Sequence, residues 1–251
     1  MSPTAIIIVI GNEILSGRTQ DTNVNYIAKK LASVGIKLKE VRIIPDDRKV
    51  IVHALKTLRS TVDYVFTTGG IGPTHDDITS DCVAEAFGVS NPIHEESFKK
   101  LENYVGAKNF NKARQRMAHL PLGAVPIPNP ISVAPGYIMG NVYVMAGVPQ
   151  IMRTMFDAIL PTLRHGDPII SRTWYAFDAL EGAIAEGLST LQQTYPQIEI
   201  GSYPFYDLNG KDGVALVAKG QDQTSVKEAA KKIRSLLISI GYDPHEGEPK
   251  P

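Results

Sequence analysis

Residues 5–10, AIIIVI, form an uninterrupted apolar run rich in β-branched side chains, with no polar alternation. Such a run suits a strand covered on both faces and rules out one facing water. The polar loop GNEILSGRTQD follows. Val24, Ile27, Ala28, Leu31 and Val34 then recur at helical spacing, with Asp21 and Thr22 as cap candidates and Gly35 as the stop. This strand–loop–helix unit repeats. IKLKEVRII, PDD and RKVIVHALKTLRS form the second unit, with Val50, Ala54, Leu55 and Leu58 expected on one buried side. VDYVFTT, a glycine-rich loop and a helix through Phe87 form the third. Three such units in succession predict an α/β fold, a largely parallel sheet with helices on both faces.

Residues 91–120 are more polar and carry two helical patterns, EESFKKLENYVG and NKARQRMAHLP, which read as an inserted flap. Four prolines within eleven residues then exclude a central strand, and GYIMGNVYVM reads as a hairpin or edge strand entering the sheet. Pro149 is placed to start a helix whose broad apolar face runs from Ile151 to Leu163. The pattern changes after residue 166, so two domains are expected, 1–166 and 167–251. The second reads as β-α-β-β-α, a small α+β unit with two helices over one sheet face, ending in a polar tail, YDPHEGEPKP.

Bulk charge carries no functional signal, because 26 lysines and arginines balance 26 aspartates and glutamates. Neither nucleic acid nor a membrane surface is therefore an expected partner. No segment approaches the ~18 apolar residues of a membrane helix. No basic leader precedes the first strand, so the cytoplasm is the expected compartment. The single cysteine, Cys82, has no partner for an internal disulfide and reads as a small buried thiol.

Local sites must therefore carry the function, and the densest is TTGGIGPTHDDITSD, residues 67–81. It lies between a strand and a helix, where open parallel sheets bind ligands. Gly69, Gly70 and Gly72 permit close backbone approach, and their amides could form an anion-binding nest suited to phosphate. A tight turn with capping aspartates would use the same composition. Capping, usually worth about 0.5–2 kcal/mol, needs only one carboxylate, however, and Asp76 and Asp77 are two. Carboxylates repel a bare phosphate, so a hard divalent cation such as Mg²⁺ between them explains the pair best. His75 reads as an exposed loop residue. The loops after the other two strands bring Asn12, Glu13 and Ser16, and Asp46 and Asp47, to the same sheet edge. No GxxxxGKS/T, GxGxxG or GxSxG pattern competes with this reading.

GNEILSG (11–17), RIIPDD (42–47), TTGGIGPTHDDIT (67–79), PNPISVAPGY (128–137) and AGVP (146–149) stand in the order found in the molybdopterin-binding domain family. Over residues 5 to about 165 the chain resembles its CinA-like branch, the N-terminal part of competence/damage-inducible proteins. The resemblance implies a three-layer α/β/α domain (MoaB/Mog-like) with a mostly parallel five-stranded sheet, followed by a small KH-like α+β domain. An RNA-binding GxxG is matched literally by Gly210 to Gly213, but a hairpin turn accounts for it. Full-length relatives carry a further C-terminal amidohydrolase domain, so that activity is expected to be absent. The branch implies metal-dependent hydrolysis of ADP-ribose or FAD-type pyrophosphates with Mg²⁺, Mn²⁺ or Co²⁺. The wider family implies molybdopterin binding or adenylyl transfer instead, and binding without turnover stays open. On the hydrolytic reading Asp46 and Asp77 are catalytic, and Glu13, Asp76 and Asp77 hold the metal. Gly69, Gly70, Gly72, Thr74, Asn12, Ser16, Gly147 and Pro149 bind a small nucleotide or pterin ligand. A homodimer is expected.

Overall fold

The computed structural model describes residues 2–206 and 210–249. The chain forms two units, Met1–Gly166 and Asp167–Pro251. The first runs β1 (Thr4–Ile10), α1 (Asn12–Leu15), α2 (Asn23–Ser33), β2 (Lys37–Ile44), α3 (Arg48–Leu58), β3 (Tyr64–Thr68), α4 (Thr79–Phe87), α5 (Glu95–Val105), α6 (Lys112–Arg116), β4 (Val125–Ile127), β5 (Gly136–Met139), β6 (Val142–Met145) and α7 (Pro149–Ile159). Its sheet has the order β2-β1-β3-β6-β5-β4. β1 pairs in parallel with β2 and β3, and β3 with β6, while β5 and β4 are antiparallel. The sheet therefore has six strands where five are expected. The additional one is the three-residue β4, which holds Pro126 at the sheet edge, where a missing N–H leaves no inner ladder bond unmade.

AIIIVI divides cleanly between two cores. Ile6, Ile8 and Ile10 pack with Ile51, Leu55 and Leu58 of α3 and Val83 of α4. Ala5, Ile7 and Val9 pack on the opposite face with Ile27 and Leu31 of α2 and Met152, Met155 and Phe156 of α7. Burying one such side chain contributes about 1.5–3 kcal/mol. Removing either helical layer would thus expose half of β1, which is why the run needs no polar alternation. Val50, expected on the buried side of α3, is 38 % exposed, and Ile51 and Val52 are buried in its place. The two aspartates of PDD have separate roles. Asp47 caps α3, its side chain accepting from the Val50 amide at 3.0 Å. Asp47→Ala is expected to cost about 1 kcal/mol, read as a lower urea midpoint with unchanged slope. Asp46 points elsewhere.

Cys82 is fully buried, and burial pushes its thiol up to about 12. It is a packing residue of α4 and no nucleophile. The flap helices α5 and α6 close over their own small core of Leu101, Phe110 and Ala118.

The second unit runs β7 (Ile170–Phe177), α8 (Glu181–Thr194), β8 (Glu199–Tyr206), β9 (Asp212–Gly220), α9 (Gln223–Ser239) and β10 (His245–Glu246), with sheet order β10-β7-β9-β8. Ile184 of α8 and Val226, Ile233 and Leu237 of α9 pack on Ala176, Val214, Leu216 and Ala218 of the sheet. The tail is not wholly irregular, since His245 and Glu246 add a short edge strand to β7. Two residues carry no readable periodicity. The DLNGKDG turn lies partly at 207–209, outside the described residues. No helix among the described residues is long and apolar enough to cross a membrane.

Candidate active site

The three loops expected on one sheet edge surround one cleft of about 550 Å³. Glu13 comes from α1, Asp46 from the end of β2, and Gly69, Gly70, Gly72, Thr74, Asp76 and Asp77 from the loop after β3. Gly147 and Pro149, at the start of α7, complete the wall. No lysine, arginine or histidine lines it. His75 is exposed and is not on the cleft wall.

The glycine loop is held from both sides. Gly69 (φ 102°) and Gly70 (φ 68°) occupy the left-handed region, which glycine reaches without steric cost. Thr79, at the first turn of α4, locks them by donating its hydroxyl to the Gly69 carbonyl at 3.1 Å and its amide to the Gly70 carbonyl at 3.0 Å. The Gly69 amide donates to the Met145 carbonyl and is spent in the sheet. The anion nest therefore narrows to Gly70, Ile71 and Gly72, whose amides donate to no protein group among the described residues.

Asp77 closes the loop on itself. Its Oδ2 accepts from the Thr74 amide at 2.8 Å and from the Thr74 hydroxyl. It lies so close to Gly72 that a Cβ there would meet Oδ2 at 2.7 Å. Asp46 accepts from the Asn12 amide at 2.9 Å, tying the first loop to the second. Burial raises the Asp46 carboxyl above its ordinary value; the Asn12 amide opposes this, and the charges of Glu13, Asp76 and Asp77 reinforce it. The other three carboxylates of the cleft thus all act on Asp46. Asn12 contributes its backbone and not its side chain. Ser16 is absent from the cleft wall: its hydroxyl turns back to the Glu13 carbonyl at 3.2 Å, closing the one turn of α1.

Two supports were not foreseen. Arg116 of α6 donates to the Thr74 and Asp77 carbonyls, each at 3.2 Å, and so straps the flap to the glycine loop. Asn129 is 7 % exposed. Its amide ties off the 129–134 wall by donating to Ser132 and Ala134 and accepting from the amides of Ile131 and Ser132.

Among the described residues no group of three or more His, Cys, Asp or Glu side chains is gathered as a ready-made metal cage. The donor set nevertheless suits Mg²⁺. That ion takes hard oxygen ligands, commonly one or two carboxylates with the remainder water and substrate phosphate. Asp46, whose carboxyl is raised by burial and by the charges of Glu13, Asp76 and Asp77, is the group such a charge would relieve.

Open α/β sheet, glycine loop and acidic rim together form a cleft at the carboxyl ends of parallel strands, where open sheets of this kind bind ligands. Residues 6–165 match the family described as probable molybdopterin binding domain, and residues 168–243 match FAD synthase, middle domain. A protein of Archaeoglobus fulgidus is 36% identical over 233 residues, covering 92% of this chain and 97% of its own. A CinA-like protein of Geobacter sp. (strain M21) is 31% identical over 253 residues, and this chain spans 57% of its length. The crystal structure of CinA from Thermoplasma acidophilum superposes with a TM-score of 0.61 at 32% identity, covering 64% of this chain and 98% of that one. The chain belongs to the molybdopterin-binding domain family, in its CinA-like branch.

Proposed function

We propose that the cleft hydrolyses the pyrophosphate bond of a dinucleotide such as ADP-ribose or FAD, with a divalent cation bound. The observation that carries this reading is the cleft wall itself. It offers the unspent amides of Gly70, Ile71 and Gly72 and four carboxylates but no basic side chain, Arg116 and His119 reaching the same loop only from the adjoining pocket. A pure anion site would have the opposite balance.

The amides of Gly70, Ile71 and Gly72 would hold one phosphate and stabilise charge developing on its oxygens. One or two of Glu13, Asp76 and Asp77, with water and substrate phosphate, would hold the cation, which would supply charge neutralisation and Lewis acidity when bound. Asp46, its pKa raised by burial and by its acidic neighbours, is suited to take the proton of the attacking water. Thr74 keeps the Asp77 carboxylate on the cleft side of the loop.

The test is incubation with ADP-ribose or FAD plus Mg²⁺, Mn²⁺ or Co²⁺ and analysis for AMP. AMP should form with the parent protein and be lost in Asp77→Ala, with far-ultraviolet circular dichroism unchanged. Nucleotide binding without any product would replace hydrolysis by a binding role. Selective binding of a molybdopterin ligand would favour the cofactor-synthesis reading of the family.

A further inference from the structure

On the flap side of the glycine loop lies a second pocket of about 140 Å³, which shares Gly70, Ile71, Gly72, Asp77 and Met117 with the main cleft. A water molecule occupies about 30 Å³ in the liquid, so the pocket has room for a tetrahedral phosphate. Arg116 lines this pocket and not the cleft. Its two bonds fix where the guanidinium lies. Nη1 donates to the Thr74 carbonyl and Nη2 to the Asp77 carbonyl, so the charge rests against the loop whose residues line both spaces. A guanidinium has five N–H donors, and these bonds take two of them. The residue is exposed, which leaves the other donors within reach of a solute. Arg42, Arg48 and Arg164 each pair with a carboxylate. Among the described residues Arg116 pairs with none, although it binds the loop that carries Asp77. Both carboxylates of the pocket already accept from neutral donors, Asp77 from Thr74 and Asp81 from the Asn91 side-chain amide at 2.8 Å. The pocket thus holds a permanent positive charge that rests on two neutral carbonyls and has no counter-ion.

We propose that this pocket takes the second phosphate of a pyrophosphate ligand, with Arg116 as the residue that binds it. The proposal rests on the reading of the main cleft as a pyrophosphate site, and adds where the phosphate that does not sit on the cation goes. The two phosphates of a pyrophosphate share one bridging oxygen, so their binding places must adjoin. The cleft and the pocket adjoin at Gly70, Ile71 and Gly72, and the bridge would cross there. The charges divide accordingly. The cleft wall has carboxylates and no basic side chain, so a phosphate on that side needs a cation; the flap side carries its own in Arg116. Arginine is suited to this contact, because its weakly hydrated guanidinium gives up little to bind phosphate oxygens through charge-assisted bonds. In the hydrolysis, the water oxygen bonds to the phosphorus on the cation side and its proton goes to Asp46. The bond from that phosphorus to the bridging oxygen breaks, and the electron pair leaves on the phosphate at Arg116, whose fixed charge stabilises it.

The experiment is calorimetric titration of the full chain, with Mg²⁺ in excess, using ADP against AMP, which differ by one phosphate. ADP should bind the parent at least about tenfold more tightly, the effect of one hydrogen-bonded charge contact. Arg116→Gln keeps N–H donors for a loop carbonyl and carries no charge. It should shrink the ratio to within about twofold and leave AMP affinity within about twofold of the parent value. Arg116→Lys, which keeps the charge without the planar fork, should hold the ratio above about threefold. A loss shared equally by ADP and AMP would make Arg116 a support of the loop alone and overturn the subsite. An undiminished ratio in Arg116→Gln, or a lysine variant no better than the glutamine one, overturns it as well. A parent protein that binds ADP and AMP equally overturns the subsite and leaves the reading of the cleft standing. One that binds neither overturns both.

Discussion

Asp46→Asn is expected to lower ADP-ribose turnover at least about 100-fold while raising the thermal midpoint of the ligand-free protein. The first effect follows from loss of the proposed base, since a positioned general base commonly contributes about 10²–10⁴ in rate. The second follows from the direction of its pKa. Burial, joined by the charges of Glu13, Asp76 and Asp77, raises the Asp46 carboxyl in the folded protein above its ordinary value of 3.8. The fold therefore favours the protonated form, and ionised Asp46 is a net cost to stability. That cost is absent below the unfolded value and grows as the pH rises through the raised folded value. Asparagine keeps an oxygen for the Asn12 amide and carries no charge. The gain in midpoint should consequently be full at neutral pH and vanish as the pH falls towards 3.8. A variant that loses stability at neutral pH would show that Asp46 holds the loops together and is not strained by its neighbours. Unchanged turnover would remove it from the reaction.

The parallel sheet, the three loops and the division after residue 166 were legible because each rests on a short-range pattern: an apolar run, a glycine cluster, a change of periodicity. The acidic rim was legible for a related reason, because topology alone brings the loops after β1, β2 and β3 to one edge. What the sequence did not reveal depended on direction or distance. Ser16 lies in the right loop, yet nothing in the sequence says that α1 closes a turn and directs its hydroxyl back to the Glu13 carbonyl. Arg116 reaches the glycine loop from 39 residues away, through a flap whose docking depends on the Leu101, Phe110 and Ala118 cluster.

Gly69→Ala should be among the most damaging single-methyl additions to the first unit. At φ 102° an L side chain is strained wherever it sits, at about 1–2 kcal/mol. Here the added Cβ would also come within 2.1 Å of the Ile10 carbonyl oxygen. That oxygen belongs to the end of β1 and has no rotamer through which to withdraw. Moving Gly69 away is equally obstructed, because its amide is bonded to Met145 and its carbonyl to Thr79. Strain and overpacking together are expected to cost roughly 3 kcal/mol or more, with loss of ligand binding as β1, β3 and the α7 entry are forced apart. Gly17→Ala isolates the strain alone: Gly17 has φ 72°, and nothing lies within 4 Å of its added Cβ. That variant should lose only about 1 kcal/mol. Urea midpoints of the two variants decide the matter, since comparable losses would mean that the junction at Gly69 is loose. A large gap would make Gly69 the point where the sheet fixes the position of the proposed phosphate nest, one residue before the amides assigned to it.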